Sequence, residues 1–409
     1  MNNFETAERM ELVHSDIRGP LFVEANRMAA EGTPILRLNT GNPATFGFAM
    51  PDSVKNALID NIDKATGYCA VNGIPSACQA IYEYHLARGI RDITPDSVYI
   101  GNGVSEVAYM AVTSLINAGE EVLVPMPSYS MWTNLCHLAD AKPVFYVCDE
   151  QSEWNPDVAD LRKKITPKTK AMVIINPNNP TGALYPDEIL LEMLQVAREN
   201  DLIVFSDEIY DRLLLDGRTH TSSAVLAPDL TVLTFNGLSK SHIVCGLRSG
   251  WVIVSGNPEN SKKVIDTIQK LAAMRLCGNT AAQLVIPAAL KDFASTQEML
   301  VPGGRLFEQR AATVKALGEI PDITCVPNKA AFYIFPKIEA KKYNITDDRL
   351  FALDVLHATN ILMIPGSGFD WPKPDHFRLV MLPEADEIYK CVLKIGNFLD
   401  GYNQQTYKR

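Results

Sequence analysis

Seven short apolar runs recur between residues 97 and 254, and each is bounded by turn-forming residues. A strand with one face in water alternates apolar and polar side chains. These runs are mostly continuous, so they predict strands of a sheet that is covered on both faces. The runs are SVYI (97–100), EVLV (121–124), PVFYV (143–147), AMVII (171–175), LIVF (202–205), TVLTF (231–235) and WVIV (251–254).

Helical patterns separate several of these runs, for example at residues 104–119 and 186–200. Alternation of strands and helices indicates βαβ units and a mostly parallel sheet. We therefore predict an α/β fold in which a mostly parallel seven-stranded sheet is sandwiched by helices. The segments AAFYIFP (330–336) and HFRLVML (376–382) predict strands of a smaller α+β domain.

The predicted domain boundaries lie near residues 48 and 290. Residues 1–48 would form an N-terminal arm and part of the small domain, and residues 49–290 the large domain. Residues 291–409 would form the C-terminal small domain.

The composition argues against several classes of partner. The chain has 409 residues, 47% of them hydrophobic, which is enough for a large core and two or three domains. A net charge of -10 argues against binding to nucleic acid or to anionic membranes. No stretch approaches the roughly 20 apolar residues of a membrane span, and the first residues carry acids where a signal peptide needs an apolar run.

The eight cysteines are scattered, without a CxxC pair or a nearby histidine cluster. This pattern is typical of free thiols in a reducing compartment. We therefore expect a cytoplasmic protein with no bound metal, no nucleic-acid partner and no membrane partner.

Polar or small residues follow five of the seven predicted strands. In α/β sheets, ligands bind outside the carboxyl ends of the strands, so these five segments predict one site. Two of them carry an ionisable residue that stands out, Asp207 and Lys240. The five segments are GNGVSE, PMPSYSMW, NPNNPTG, SDEIY and NGLSK.

The chemistry of this predicted site centres on Lys240. Neutral neighbours disfavour the ammonium form of a lysine, which lowers its pKa and makes it nucleophilic. Such a lysine suits a Schiff base with an aldehyde, most often pyridoxal 5'-phosphate, which needs a carboxylate at its pyridine nitrogen. Asp207 is the candidate carboxylate, and Tyr210 and Asn179 are candidates to bind the ring hydroxyl.

A phosphate would need backbone N–H groups and a cation. GNGVSE opens a predicted helix, whose N-terminus favours anions, with Gly103 and Ser105 at the turn. Arg248 offers a guanidinium fork for the phosphate, and Tyr129 is a candidate to stack on the ring. Because Glu106 replaces the third glycine of a dinucleotide fingerprint, we reject a nicotinamide cofactor.

The motifs together resemble those of the fold type I pyridoxal-phosphate enzymes, in the class I/II aminotransferase family. The resemblance covers nearly the whole chain, and within the family it is greatest to bacterial alanine (glutamate–pyruvate) aminotransferases. The motifs that carry it are NPNNPTG (176–182), SDEIY (206–210), SK (239–240), GLRSGW (246–251), IRGP (17–20), LNTGNP (38–43) and MRLCGN (274–279).

The resemblance implies roles toward the cofactor. Lys240 would form the Schiff base and then move the substrate proton, while Asp207, Tyr210 and Asn179 would hold the ring. The residues implied to hold the phosphate are Gly103, Val104, Ser105, Ser239 and Arg248.

The resemblance also implies roles toward the substrate and a partner subunit. Arg378 would bind the substrate α-carboxylate, beside Asn179 and the backbone of Gly41. Tyr68 would reach the phosphate of the neighbouring subunit, which implies a homodimer with shared active sites.

A second substrate carboxylate would need a further cation, for which Arg18 and Arg275 are the candidates. Relatives often carry an aromatic residue where this chain has Ser15, and a phosphate-binding serine where it has Gly237.

The resemblance implies an aminotransferase that moves an amino group between L-alanine, or a similar small or apolar amino acid, and 2-oxoglutarate by a ping-pong mechanism. Three alternatives stay open at this point. They are a C–S β-lyase, an aspartate or aromatic aminotransferase, and a non-enzymatic pyridoxal-phosphate-binding regulator.

Overall fold

A computed structural model describes residues 5–408 of the chain. Fifteen strands lie in this part of the chain. In chain order they are β1 Leu36–Arg37, β2 Val98–Asn102, β3 Glu121–Met126, β4 Lys142–Asp149, β5 Asn155–Pro156, β6 Thr169–Ile175, β7 Ile203–Asp207, β8 Val232–Gly237, β9 Ser249–Ser255, β10 Ile323–Thr324, β11 Tyr333–Ile334, β12 Lys337–Ile338, β13 Ile361–Leu362, β14 Ile364–Pro365 and β15 Phe377–Val380.

The same residues form sixteen α-helices. They are α1 Pro20–Ala30, α2 Asp52–Asn61, α3 Pro75–Ala87, α4 Val104–Leu115, α5 Met131–Leu138, α6 Val158–Lys163, α7 Asp187–Glu199, α8 Ser223–Leu226, α9 Leu238–Ser241, α10 Pro258–Met274, α11 Thr280–Leu284, α12 Ile286–Lys291, α13 Ala294–Gln297, α14 Arg305–Gly318, α15 Asp348–Thr359 and α16 Ala385–Leu399.

The large sheet has the strand order β2-β9-β8-β7-β6-β3-β4-β5. All seven predicted strands are present in it, and β9 alone among them runs in the opposite direction to the other six. The sheet also has an eighth strand, so the predicted number of seven was one too low. The extra strand, β5, is a two-residue antiparallel edge beside β4. It has no apolar run by which the sequence could reveal it.

Both faces of the large sheet are buried, which explains the continuous apolar runs. Successive residues of β6, such as Val173 and Ile174, belong to different apolar clusters on opposite sides of the sheet. Helices α4, α5 and α10 cover one side, and α3, α7 and α12 cover the other. The coverage follows from helical spacing. Helix α7 buries Leu190, Met193, Leu194 and Ala197. Their spacing follows the 3.6-residue period of a helix, so they lie on one face of it.

A separate apolar cluster joins the two ends of the chain. Helix α1 packs with residues of α14, α15 and α16, and β1 pairs in parallel with β13. Strand β15 lies between β11 and β14 in a three-stranded sheet. Both strands predicted in this region are therefore present, although shorter than their apolar runs. The domain boundaries near residues 48 and 290 stay predictions. Within residues 5–408, no helix is both long enough and apolar enough to cross a membrane.

Gly250 in β9 determines how closely the large sheet approaches the N-terminus of α4. A Cβ atom at Gly250 would lie 2.3 Å from the backbone nitrogen of Val104 and 2.4 Å from the carbonyl carbon of Gly103. Backbone atoms cannot rotate away as a flexible side chain can, so the strand and the helix must separate to admit a methyl group. The spacing of the two elements therefore requires glycine.

We predict that Gly250→Ala lowers the free energy of unfolding by about 1–3 kcal/mol, the usual cost of overpacking. Gly318→Ala is the matched control, because a Cβ atom there would meet nothing within 4 Å. Chemical denaturation of both variants measures the difference. Equal stability of the two variants would contradict the packing argument.

Candidate active site

A cavity of about 390 Å³ lies at the carboxyl ends of the central strands of the large sheet. Twelve of the residues predicted from the sequence line it, although they come from segments as far apart as residues 18 and 378. They are Arg18, Gly41, Val104, Ser105, Tyr129, Asn179, Asp207, Tyr210, Ser239, Lys240, Arg248 and Arg378.

Lys240 lies on the one-turn helix α9, directly after β8. Its Nζ donates to the carbonyl oxygen of Gly41 at 2.9 Å and lies 5.6 Å from the centre of the Phe332 ring. Among the described residues, no carboxylate lies within 4 Å of this amine. The expected absence of an acidic partner for Lys240 is therefore what the structure shows.

Asp207 is the last residue of β7 and is almost fully buried. Its carboxylate accepts hydrogen bonds from the indole Nε1 of Trp132 at 3.1 Å and from the backbone N–H of Ile209 at 3.3 Å. Burial raises the pKa of Asp207 to about 6, and the two donors oppose that rise. The pair of Trp132 and Asp207 was not predictable from the sequence, because the two lie 75 positions apart.

Tyr210 follows Asp207 in a turn. Its hydroxyl lies 3.2 Å from the hydroxyl of Tyr333. Burial raises the pKa of Tyr210 well above its ordinary value. Tyr333 also lines the cavity, and sequence reasoning missed it. The available signal was a hydroxyl group within the apolar run AAFYIFP.

One corner of the cavity combines a helix N-terminus with a cation. Helix α4 begins at Val104, after Gly103 in a left-handed conformation with φ 84°. Arg248 donates to the carbonyl oxygens of Cys245 at 3.0 Å and Asn102 at 3.4 Å. A Cβ atom at Gly103 would lie 2.1 Å from Nη2 of Arg248, so glycine lets the guanidinium approach the helix. This corner can bind an anion.

Arg378 lies on β15 and is buried, with 1% of its surface exposed. Its guanidinium donates to Oδ1 of Asn179 at 3.1 Å and to the carbonyl oxygen of Asn39. The guanidinium carbon lies 4.6 Å from the ring centre of Tyr333 and 4.7 Å from that of Phe369. Nε has no hydrogen-bond partner, and no carboxylate of the described residues forms an ion pair with Arg378. The geometry suits a carboxylate ligand.

Three predicted residues do not line this cavity. Gly103 does not line it but lies against the guanidinium of Arg248. Tyr68 lies in a different groove, beside Lys64, and is 82% exposed. Arg275 donates to the carbonyl oxygen of Ile100 at 2.7 Å, and its Nε lies 3.5 Å from Oε1 of Glu106.

The N-terminal segment contributes more to the cavity than the sequence indicated. Ser15 and Ile17 line it together with Arg18. Asp16 anchors this segment through two hydrogen bonds from the guanidinium of Arg349, each of 3.1 Å. The sequence places Asp16 and Arg349 more than 300 positions apart, so only the fold reveals the pair.

Comparisons with known proteins agree with this geometry. The family description "Aminotransferase class I and II" matches residues 33–391. Glutamate-pyruvate aminotransferase AlaA of Escherichia coli strain K12 is 48% identical over 404 residues, which cover 99% of this chain and 100% of that protein. Alanine aminotransferase of Mycobacterium tuberculosis strain H37Rv is 45% identical over 402 residues, covering 98% and 94% of the two chains.

A solved structure is similar to this chain over nearly its whole length. The crystal structure of an aminotransferase from Escherichia coli matches with a TM-score of 0.97 at 48% identity, covering 98% of this chain and 100% of that one. The large sheet has the strand order of the fold type I architecture, and the smaller unit belongs to the same architecture. This chain belongs to the class I and II aminotransferases, and it is a transaminase that depends on pyridoxal phosphate.

Proposed function

We propose that this chain moves an amino group between L-alanine and 2-oxoglutarate by a ping-pong mechanism. The observation that carries the proposal is that Lys240 and Arg378, both without an acidic partner, line one cavity. Relatives at 48% and 45% identity are named glutamate-pyruvate and alanine aminotransferase. A transaminase needs an amine that moves the substrate proton and a cation that holds the α-carboxylate, and this cavity offers both.

Pyridoxal phosphate fits the groups that line the cavity. The N-terminus of α4, with Val104 and Ser105, and the guanidinium of Arg248 would hold its phosphate. Tyr210 and Asn179 would hold its ring hydroxyl. When bound, the cofactor draws electrons away from the Cα atom of the amino acid, so the Cα proton becomes acidic.

Asp207 would hold a proton at the pyridine nitrogen. Burial makes the ionised carboxylate costly in this position, which is why its pKa rises to about 6. A cationic ring nitrogen beside it would offset that cost and would keep Asp207 ionised. The buried carboxylate and the protonated ring would thus stabilise each other.

Lys240 would move the Cα proton of the substrate. In this structure its amine donates to the carbonyl oxygen of Gly41, which holds the amine within the cavity. Gly41 has no room for a side chain, since a Cβ atom there would lie 2.2 Å from the hydroxyl oxygen of Tyr333. The backbone at Gly41 can therefore approach both the lysine and the substrate closely.

Arg378 would bind the α-carboxylate that every substrate shares. It lies between two aromatic rings and donates to fixed acceptors, so its position is set before a ligand arrives. A buried cation with an unpartnered Nε gains more from a carboxylate than an exposed one does.

Arg18 is the better candidate for the distal carboxylate of glutamate and 2-oxoglutarate. It is exposed and lines the cavity, so water can solvate it when alanine is bound. Arg275 is held by Ile100 and Glu106 outside the cavity of its own chain. Its contacts favour a structural role.

A homodimer would explain the position of Tyr68, which is exposed and lies away from the cavity of its own chain. Thr280 donates to the carbonyl oxygen of Gly67 at 3.3 Å, which joins the Tyr68 loop to the segment after α10. Met274, the last residue of α10, is 81% exposed, and Leu276 in that segment is 50% exposed. Exposed apolar side chains of this kind are typical of a surface that another chain covers.

We predict that the purified protein is yellow and that L-alanine and then 2-oxoglutarate convert its visible spectrum back and forth. Lys240→Ala should lose both conversions and should lower turnover by at least the 10²–10⁴-fold that a positioned proton-transfer group typically contributes. Lys291→Ala, on helix α12, is the control. Wild-type turnover of Lys240→Ala would refute the assignment.

We predict that Asp207→Asn slows exchange of the alanine Cα proton with solvent, measured by NMR, because the ring nitrogen loses its charged partner. The same variant should stabilise the cofactor-free protein at pH 8. The pKa of Asp207 rises from 3.8 to about 6 on folding, so the ionised group costs about 3 kcal/mol above pH 6. This cost falls as the pH falls through 6 toward 4.

Thermal unfolding of the cofactor-free proteins at pH 5 and pH 8 measures this effect. The advantage of Asp207→Asn over wild type should be larger at pH 8. An advantage that is independent of pH, together with an unchanged exchange rate, would contradict the proposed role of Asp207.

We predict that Arg18→Ala lowers kcat/KM for glutamate by about 10–100-fold more than for alanine, since a charged hydrogen bond contributes about 1.5–3 kcal/mol. Arg275→Ala is the matched control and should affect both amino acids equally. Half-reaction kinetics with each amino acid measure the ratio. A selective loss in Arg275→Ala instead would transfer the role to Arg275.

A further inference from the structure

Tyr333 contacts two groups that the proposed function treats as separate. Its hydroxyl accepts a hydrogen bond at 3.2 Å from the hydroxyl of Tyr210, which would bind the ring hydroxyl of the cofactor. Its ring lies 4.6 Å from the guanidinium carbon of Arg378, which would bind the substrate carboxylate. Tyr333 lines the cavity yet is only 2% exposed.

Only one proton can lie between the hydroxyls of Tyr210 and Tyr333. Each hydroxyl has a single proton and can also accept a hydrogen bond. In this structure Tyr210 is the donor. If Tyr333 donates to the oxygen of Tyr210 instead, the proton of Tyr210 is free to be donated into the cavity. A hydroxyl that accepts one hydrogen bond also donates more strongly, because hydrogen bonds in a chain polarise one another.

The ring of Tyr333 acts on Arg378 through a different group. With Phe369 at 4.7 Å, it encloses the guanidinium between two aromatic rings. Such contacts favour a desolvated cation without competing for its N–H donors. The donors of Arg378 therefore stay available for acceptors in the guanidinium plane.

We propose that Tyr333 is a positioning residue with two separable actions. When the ring oxygen of the cofactor accepts the proton of Tyr210, the hydroxyl of Tyr333 reverses its hydrogen bond and donates to Tyr210, and its ring fixes Arg378 for the substrate carboxylate. The proposal rests on the proposed function, since it assigns Tyr333 to the partners of the same cofactor and substrate.

The placement of Tyr333 in the fold supports this assignment. Strand β11 carries Tyr333 and pairs with β15, which carries Arg378, so the backbone sets the distance between the two side chains. Tyr210 follows β7, a strand of the large sheet. Tyr333 thus connects a cofactor ligand on one sheet to a substrate ligand on another.

Two variants separate the two actions. Tyr333→Phe removes the hydroxyl and keeps the ring, while Tyr333→Leu removes both. The first measurement is a pH titration of the visible absorbance of the holoenzyme, and the second is the Kd of propionate, a carboxylate that cannot be transaminated. Tyr343→Phe is the control, because it removes a buried tyrosine hydroxyl bonded to Asp322 at 2.6 Å, away from the cavity.

We expect Tyr333→Phe to raise the midpoint of the absorbance titration by about 0.5–1 pH unit, the shift that corresponds to losing one hydrogen bond. A weaker donor at Tyr210 stabilises the charge on the ring oxygen less, which disfavours the alkaline form. The Kd of Tyr333→Phe for propionate should stay unchanged. Tyr333→Leu should show the same shift and, in addition, weaker binding of propionate by about 5-fold or more.

The Tyr210→Phe background tests whether Tyr333 acts through Tyr210. Tyr333→Phe should cause no further shift there. A shift of full size in that background, no shift in wild type, or the same shift in Tyr343→Phe would each overturn the proposal. If the wild-type holoenzyme showed no titrating chromophore, the proposed function itself would fail instead.

Discussion

A buried carboxylate at the end of β7 is the constraint on which the site depends. Asp207 is 4% exposed, and burial raises its pKa to about 6. Its partners, Trp132 and the backbone of Ile209, donate neutral hydrogen bonds, and no cation among the described residues forms an ion pair with it. Because the sheet is covered on both faces, the ionised carboxylate is desolvated, and its charge is costly. An exposed carboxylate, in contrast, would gain little from a cationic partner. The fold therefore creates a position that a bound cation can stabilise strongly.

The cations around the cavity complement this carboxylate. Lys240, Arg248 and Arg378 lie on three different elements, and none of them is paired with an acid among the described residues. The whole chain has a net charge of -10, yet these three side chains make the cavity locally positive. A ligand with one phosphate and one carboxylate suits such a cavity, since it brings the anions that the chain itself does not supply.

The sequence predicted the parts of the site that follow strands and missed the parts that depend on packing. Lys240 and Asp207 were predictable because each ends a strand whose apolar run is unmistakable, and parallel strands bring such ends to one edge. Trp132 and Tyr333 were not, since their roles arise from neighbours 75 and 123 positions away. The edge strand β5 was missed because two residues carry no periodicity. Arg275 stays a candidate for the distal carboxylate, because sequence alone cannot separate a cation that faces a substrate from one that packs against Ile100.

The two carboxylates of glutamate place different physical demands on the site. Every substrate carries the α-carboxylate, so a buried, fixed cation such as Arg378, in its proposed role, would always have a partner during turnover, and that partner would offset its desolvation. Only some substrates carry the distal carboxylate, and a buried cation there would stay unpaired whenever alanine is bound, at a cost of several kcal/mol. An exposed cation on the N-terminal segment avoids that cost, because water replaces the missing carboxylate. Arg18 is exposed and Arg378 is buried, so their proposed roles would meet both demands.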